Sequence, residues 1–172
     1  MRLGHVAIVA SDLERSLTFY TGPVGMQLTE RIDYPDDGVG HGAGVARGAF
    51  LHCDELHHRL AIFVLRDGDD EPPSGGLHHL AFELESPVAL LAKLEEVRAW
   101  GAEIVNHRMG GPGNQPRFYA RDPDGHLVEF YWGIDVIGPD GGVPSHTPIT
   151  EIDLAGFDFA ARAAALDVVS RP

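Results

Sequence analysis

Three side chains in this 172-residue sequence have the types and placement expected of a metal site. His5 opens one strand-like segment, His79 opens a second segment of similar pattern, and Glu129 lies within an apolar strand-like run. Two imidazoles and one carboxylate leave three adjacent coordination positions open, which is typical of non-haem Fe(II) oxygenases. The alternative is that the two histidines are ordinary strand-start residues. Their recurrence at matching places in a repeat argues against that alternative.

Glu129 belongs to a predicted β-hairpin around the turn Asp122-Pro-Asp-Gly125. Proline presets the second position of such a turn, and glycine suits the fourth. The flanking segments, 115–121 and 126–132, are rich in aromatic and β-branched residues and predict strands. Glu129 is then a carboxylate in an apolar strand. Because burying a lone carboxylate is costly, the sequence predicts a cation beside it.

The elements that position these residues occur twice. Leu3-Gly-His-Val-Ala-Ile-Val9 is matched by Leu77-His-His-Leu-Ala-Phe-Glu-Leu84, and a helix followed by three strands is predicted after each. Each half is therefore β-α-β-β-β. The predicted fold class is α+β, with two βαβββ modules forming a curled mixed sheet around a metal-binding cleft. The predicted divisions are a first module at 1–66, a linker at 67–76, a second module at 77–133 and a C-terminal extension at 134–172.

Local signals place the elements within each half. Ser11-Asp-Leu-Glu14 has the pattern of a capping box and predicts a helix start, as does Ser86-Pro87 in the second half. Gly101 is the predicted end of the second helix, and Gly110-Gly111-Pro112-Gly113 resembles a mobile flap. The remaining predicted elements are strands at 26–34, 43–51, 58–65 and 103–107 and a short helix at 157–169.

Composition narrows the partners and the compartment. The formal net charge is −13, which argues against nucleic acid or an anionic membrane surface as a partner. No apolar run is long enough to span a bilayer, and the N-terminus has no signal-peptide pattern. The single cysteine, Cys53, cannot form an intrachain disulfide. The sequence therefore predicts a cytoplasmic protein that acts on a small molecule.

The motifs above resemble the vicinal oxygen chelate superfamily, which includes glyoxalase I, methylmalonyl-CoA epimerase, antibiotic-binding proteins and type I extradiol dioxygenases. The resemblance covers roughly residues 3–133. It rests on His5-Val-Ala-Ile-Val-Ala-Ser-Asp-Leu-Glu-Arg-Ser-Leu-Thr-Phe-Tyr20, on His79-Leu-Ala-Phe82 and on Asp122-Pro-Asp-Gly-His-Leu-Val-Glu-Phe-Tyr131. It implies that His5, His79 and Glu129 bind the metal.

The first module resembles that of the dioxygenase branch in the number of metal ligands that it supplies. Glyoxalase-like and epimerase-like members usually take a further metal ligand from the first-module strand that matches the Glu129 strand. Here that strand offers Leu60, Ala61 or Ile62, and none of these binds metal. Members of the dioxygenase branch hold their metal with three protein ligands.

Two further segments resemble extradiol enzymes. Tyr119, followed by Asp-Pro-x-Gly and Glu129, fits the tail of the extradiol signature, so Tyr119 is implied to contact substrate. Asp54-Glu-Leu-His-His58 is similar to the segment that supplies an acid–base histidine, which implies that role for His58. On a strand that began at His58, however, its side chain would face away from Ala61. A bulge or a strand-end position would be needed.

The implied activity is that of an Fe(II)-dependent extradiol dioxygenase that cleaves a catechol-type aromatic, similar to biphenyl-2,3-diol, with O₂. Mn(II) fits the same ligands. Gln115 stands where the signature has a histidine, and His107 is further upstream, so the resemblance assigns both to substrate binding. A homodimer or higher homo-oligomer is expected. The alternatives are a lyase or epimerase that uses Zn, Mn, Ni or Co, and a small-molecule-binding protein without catalysis.

Overall fold

The computed structural model describes residues 5–34, 45–66, 77–111, 113–135 and 147–169. The predicted α+β fold is confirmed, because two mixed sheets and three helices make up these ranges. The predicted linker at 67–76 lies outside the described residues, as does the stretch 136–146 of the extension. None of the helices within the described ranges has the length and apolar character that a membrane span requires.

The first module forms a four-stranded sheet with one helix. Its elements are β1 Val6–Val9, α1 Leu13–Thr21, β2 Gln27–Asp33, β3 Val45–His52 and β4 Leu60–Leu65. Strands β1 and β4 are parallel, β3 pairs antiparallel with both β4 and β2, and the order is β1-β4-β3-β2. The last strand begins two residues later than predicted.

The second module repeats this arrangement and adds a fifth strand. Its elements are β5 His79–Glu83, α2 Pro87–Trp100, β6 Ile104–Met109, β7 Arg117–Arg121, β8 Leu127–Tyr131, β9 Thr150–Glu151 and α3 Phe159–Val169. The sheet has the order β5-β8-β7-β6-β9, again with one parallel pair, β5 with β8. Strand β9 was not predicted. It belongs to the extension and pairs with β6.

The start of α1 differs from the prediction, whereas α2 agrees with it. The capping box at Ser11 is wrong: Asp12 is the N-cap, and its carboxylate accepts a hydrogen bond from the backbone N–H of Arg15 at 3.1 Å. In α2, Ser86 caps the helix and Pro87 is its first residue. Gly101 ends α2 with a φ of 92°, a left-handed conformation that glycine adopts without strain.

The described residues form two compact units, and the first is discontinuous in sequence. It comprises the chain up to His78 together with the turn Asp122–His126. Asp124 of this turn accepts hydrogen bonds from the backbone N–H of Ser11 at 3.0 Å and from the hydroxyl of Ser16 at 2.9 Å. The backbone N–H of Ser11 therefore bonds the turn, while its hydroxyl oxygen also accepts from Arg15 Nη2 of α1 at 3.0 Å.

Asp122 is the second anchor of the turn. It accepts hydrogen bonds from the Tyr20 hydroxyl and from the His126 ring, each at 2.9 Å. Tyr20 is fully buried, and its burial together with the negative charge of Asp122 raises its pKa. The hydrogen bond to Asp122 raises the pKa of His126 against the opposing effect of burial. The turn thus satisfies polar groups that would otherwise be buried without partners.

We expect His126→Asn to destabilise the protein by about 1 kcal/mol at acid pH and by less at alkaline pH. The raised pKa means that the folded protein binds this proton more tightly than the unfolded chain does. That stabilisation is complete below the unfolded pKa and is lost as pH rises through the folded pKa. Urea unfolding of both proteins between about pH 5.5 and 9 measures the difference, with the exposed His78→Asn as control. A difference that stays constant across this range would contradict the assignment.

Candidate functional site

Glu129 and His79 lie side by side on one face of the second sheet. Ala81 pairs with Glu129 across β5 and β8, and His79 is two residues before Ala81, so all three side chains share a face. His79 Nε2 lies 3.0 Å from Glu129 Oε2. The Glu129 side chain is buried, with 3% of its surface exposed. The expectation that this carboxylate is buried in the sheet is met.

Arg117 is a buried cation close to Glu129 and was not predicted from the sequence. Its Nε lies 3.8 Å from Glu129 Oε1 and donates to the Tyr119 hydroxyl at 3.2 Å. Its Nη1 donates to the backbone carbonyls of Gly110 and Gln115 at 2.8 and 3.0 Å. A signal was available, because Arg117 is two residues before Tyr119 and so shares its face of the strand. The buried carboxylate also required a cation.

Tyr119 lies directly opposite Glu129 across β7 and β8. Burial and a hydrogen bond with Glu129 raise the pKa of the Tyr119 hydroxyl to about 12, although Arg117 opposes the shift. The phenol is therefore protonated near neutral pH. The Tyr119 and His79 rings meet edge to face, with centroids 5.7 Å apart. The phenol, the imidazole and the carboxylate form one cluster.

Of the two tentative substrate contacts, the structure brings only Gln115 to this cluster. Gln115 is buried, and its Nε2 lies 3.5 Å from Glu129 Oε1. His107 pairs with Phe118, so it lies on the face opposite to Tyr119, and Asn106 takes the position facing Tyr119. The pKa of His107 is lowered by its burial and then by the charge of Arg98.

The first unit brings His5 and His58 together. His5 immediately precedes β1, and His58 lies two residues before β4. Their ring centroids are 4.4 Å apart, and Phe50 packs against His58 at 5.0 Å. The orientation problem foreseen for His58 does not arise, because β4 begins at Leu60. Burial, followed by the charges of His5 and His57, lowers the pKa of His58.

The strand registers show how the two modules differ at equivalent positions. In the second unit Ala81 pairs with Glu129, and in the first the equivalent Ala7 pairs with Ala61. Ala61 therefore occupies the place of Glu129. By the same registers Phe50, which pairs with Ala61, occupies the place of Tyr119. The first module keeps the histidine of the repeat but has neither the carboxylate nor the phenol.

The loop after β6 is held by the extension, which differs from the predicted mobile flap. The backbone N–H of Gly111 donates to the Thr147 carbonyl at 2.8 Å, and the Asn114 side chain accepts from the Thr147 backbone N–H at 2.7 Å. Gly110 has a φ of 90°, and a Cβ there would lie 2.2 Å from the Pro148 carbonyl oxygen. Only glycine fits this close approach.

No three His, Cys, Asp or Glu side chains are grouped closely enough to hold a metal ion in the part of the chain that the structure describes. The second unit contributes the pair His79 and Glu129, and the first contributes His5. The set of three ligands, His5, His79 and Glu129, includes residues of both units and stays a prediction.

Comparison with known proteins places this fold and these motifs in one family. The profile of the Glyoxalase/Bleomycin resistance protein/Dioxygenase superfamily matches residues 2–130. The chain belongs to this superfamily. The matched range contains both βαβββ modules and all the clustered residues above, whereas the C-terminal extension lies outside it.

The relatives within the superfamily differ in activity. Biphenyl-2,3-diol 1,2-dioxygenase of Paraburkholderia xenovorans is 31% identical over 147 residues, which cover 84% of this chain and 45% of that protein. Ethylmalonyl-CoA/methylmalonyl-CoA epimerase of Cereibacter sphaeroides is 30% identical over 135 residues, covering 74% of this chain and 95% of the epimerase. The chain thus spans less than half of the dioxygenase but nearly the whole epimerase.

A solved structure shares the fold. A mutant of the fosfomycin resistance protein FosX of Listeria monocytogenes, in complex with Mn(II) and a dihydroxypropylphosphonic acid, matches with a TM-score of 0.55 and 18% identity. The match covers 76% of this chain and 90% of FosX. It supports the fold described above.

Proposed function

We propose that the protein is a metal-dependent extradiol dioxygenase that cleaves the ring of a catechol-type aromatic with O₂. His5, His79 and Glu129 would hold Fe(II), for which Mn(II) could substitute. The observation that carries the proposal is Ala61 at the place of Glu129 in the repeat. With no carboxylate at that place, His5 is the one ligand that we propose from the first module, and three coordination positions would stay open for substrate and O₂.

The geometry of the second unit fits such an ion. Neighbouring ligand atoms about 2.1 Å from an octahedral metal, at right angles, are about 3 Å apart. His79 Nε2 and Glu129 Oε2 are 3.0 Å apart, a spacing that also suits a hydrogen bond. One carboxylate and imidazole nitrogens are a donor set that Fe(II) and Mn(II) both accept. When bound, the ion would supply electron transfer between the chelated aromatic and O₂.

The residues around the ligands have distinct roles in this proposal. A catechol must lose protons to chelate through both oxygens, and His58 is the group proposed to accept one. Tyr119 is proposed to orient the substrate by hydrogen bonding. Arg117 fixes the position of the Tyr119 hydroxyl, since its Nε donates to that oxygen. Arg117 is therefore a positioning residue.

The test is an oxygen-electrode assay on anaerobically purified, iron-loaded protein. We expect one iron per chain, O₂ uptake with catechol and with 2,3-dihydroxybiphenyl, and ring-opened products that absorb visible light. The Zn(II)-loaded protein should take up no O₂, since zinc has no redox chemistry. Iron-loaded protein that consumes no O₂ with any catechol of a broad panel would refute the proposal.

The second candidate is an epimerase or a glyoxalase-like lyase. It is favoured by sequence similarity, because the chain is 30% identical to the Cereibacter epimerase over 135 residues. Such an enzyme would not consume O₂ and would need a further protein ligand from the first module. Its activity should appear with Zn, Ni or Co in place of iron, so the Zn(II)-loaded sample, in which the dioxygenase should be inactive, separates the two candidates.

We propose that the protein works as a homodimer or higher homo-oligomer. Light scattering after size exclusion tests this proposal, and a monomer at assay concentration would contradict it.

A further inference from the structure

We propose that the C-terminal segment, residues 147–169, is a brace that positions Gln115 against Glu129, and that Arg162 is its positioning residue. The inference deepens the proposed function, on which it rests for the role of Glu129 as a ligand. The segment lies beyond residues 2–130, which the superfamily profile matches. Arg162 therefore lies outside the part of the chain that the superfamily profile matches.

Arg162 on α3 is buried and makes a set of directed hydrogen bonds. Its Nη2 donates to Asp135 Oδ1 at 2.6 Å and to the Gly133 carbonyl at 2.7 Å. The same nitrogen donates to the Gly113 carbonyl at 3.1 Å. The side chain is 7% exposed. A guanidinium with this many acceptors fixes the backbone around it more firmly than a single ammonium could.

Asp135 extends these contacts into the loop before β7. Its backbone N–H donates to the Gly113 carbonyl at 2.9 Å, and its Oδ2 accepts from Asn114 Nδ2 at 2.7 Å. Asn114 has a φ of 49°, a conformation that asparagine tolerates better than most residues. The loop therefore has a fixed path between Gly113 and Gln115.

Gly113 links the path of this loop to the side chain of Gln115 through close packing. A Cβ at Gly113 would lie 2.7 Å from Gln115 Oε1 and 2.5 Å from Ile134 Cγ1, so the glycine packs closely between these side chains. Gln115 Oε1 is buried with no hydrogen-bond partner among the described residues. Packing against Gly113, and not a hydrogen bond to that oxygen, thus sets the direction of the amide. Its Nε2 then lies 3.5 Å from Glu129 Oε1.

The consequence concerns the metal ligand. Groups that bond a ligating carboxylate fix its orientation, and their loss typically lowers metal affinity by about 10- to 100-fold. If Arg162 acts through Gln115, removing the brace should weaken metal binding only while Gln115 is present. A residue that merely stabilises the fold would weaken binding whether or not Gln115 is present.

The first experiment needs no metal. The variant Arg162→Met/Asp135→Asn removes both buried charges together, which avoids leaving one unpaired. We expect backbone amides of residues 113–117 to exchange with solvent about tenfold faster than in the wild type, with α2 unchanged. The control is Arg98→Met/Glu95→Gln, an exposed ion pair of the same unit. Unchanged exchange at 113–117 would overturn the brace.

The second experiment is a double-mutant cycle on Co(II) binding, followed by the visible absorption of the bound ion. We expect Arg162→Met/Asp135→Asn to lower Co(II) affinity about tenfold in the wild type and less than twofold in a Gln115→Ala background. An equal loss in both backgrounds, or no loss in either, would overturn the role of Arg162. Should the protein bind neither Co(II) nor Fe(II), the proposed function fails and the exchange experiment alone decides the inference.

Discussion

Glu129→Gln is expected to abolish divalent-metal binding and to lower oxygen uptake by at least about 1000-fold. A metal contributes several kcal/mol to the transition state, and each 1.4 kcal/mol is a factor of about ten. Glutamine keeps the shape of the side chain but removes the charge that the proposed ion needs. Equilibrium dialysis with Mn(II) or Fe(II) measures the first effect, and the oxygen electrode measures the second.

The same change should leave the fold intact at a modest cost. Arg117 loses a carboxylate 3.8 Å away but keeps its bonds to Gly110, Gln115 and Tyr119. We expect the free energy of unfolding to fall by about 1–3 kcal/mol. The matched control is Glu103→Gln, an exposed carboxylate of the same unit. Glu129→Gln protein that binds metal with wild-type affinity would refute the ligand assignment.

His58→Gln is expected to retain the metal and to lose about 10²- to 10⁴-fold in turnover, the usual contribution of a general acid–base group. The His58 ring lies against His5 but is not itself a proposed ligand. Glutamine can still form hydrogen bonds but cannot take up a proton. Metal content and kcat, measured on the same preparation, separate the two roles.

His78→Gln is the control for His58, since it replaces an exposed histidine by the same residue. We expect its kcat and metal content to equal those of the wild type. A His58→Gln enzyme with unchanged kcat would exclude His58 as the acid–base group. Loss of metal from His58→Gln would instead make His58 a ligand.

The repeat and its local signals predict much of this structure. Two copies of one strand motif indicate two βαβββ modules, and Ser86-Pro87 with Gly101 predict both ends of α2. Alternation along β8 predicts that Glu129 is buried. These features depend on residues close together in sequence, or on a pattern that occurs twice. The sequence alone is therefore sufficient to predict them.

The features that were missed depend on contacts between distant residues. Asp124, 113 positions away in sequence, accepts hydrogen bonds from the backbone N–H and the hydroxyl of Ser11. A cation beside Glu129 was expected, but Arg117 was not identified: its spacing from Tyr119 gives the face of the strand, whereas its distance from Glu129 depends on the register of β7 and β8. Strand β9 is two residues long, and its position depends on pairing with β6.

The contacts of the 122–126 turn constrain how the chain can be made and divided. A ribosome must synthesise the chain as far as His126 before Ser16 and Tyr20, both fully buried, find their acceptors in Asp124 and Asp122. A gene fragment that stops at residue 78 would leave those hydroxyls unsatisfied. The first unit thus takes part of its buried hydrogen bonding from the second half of the translation product.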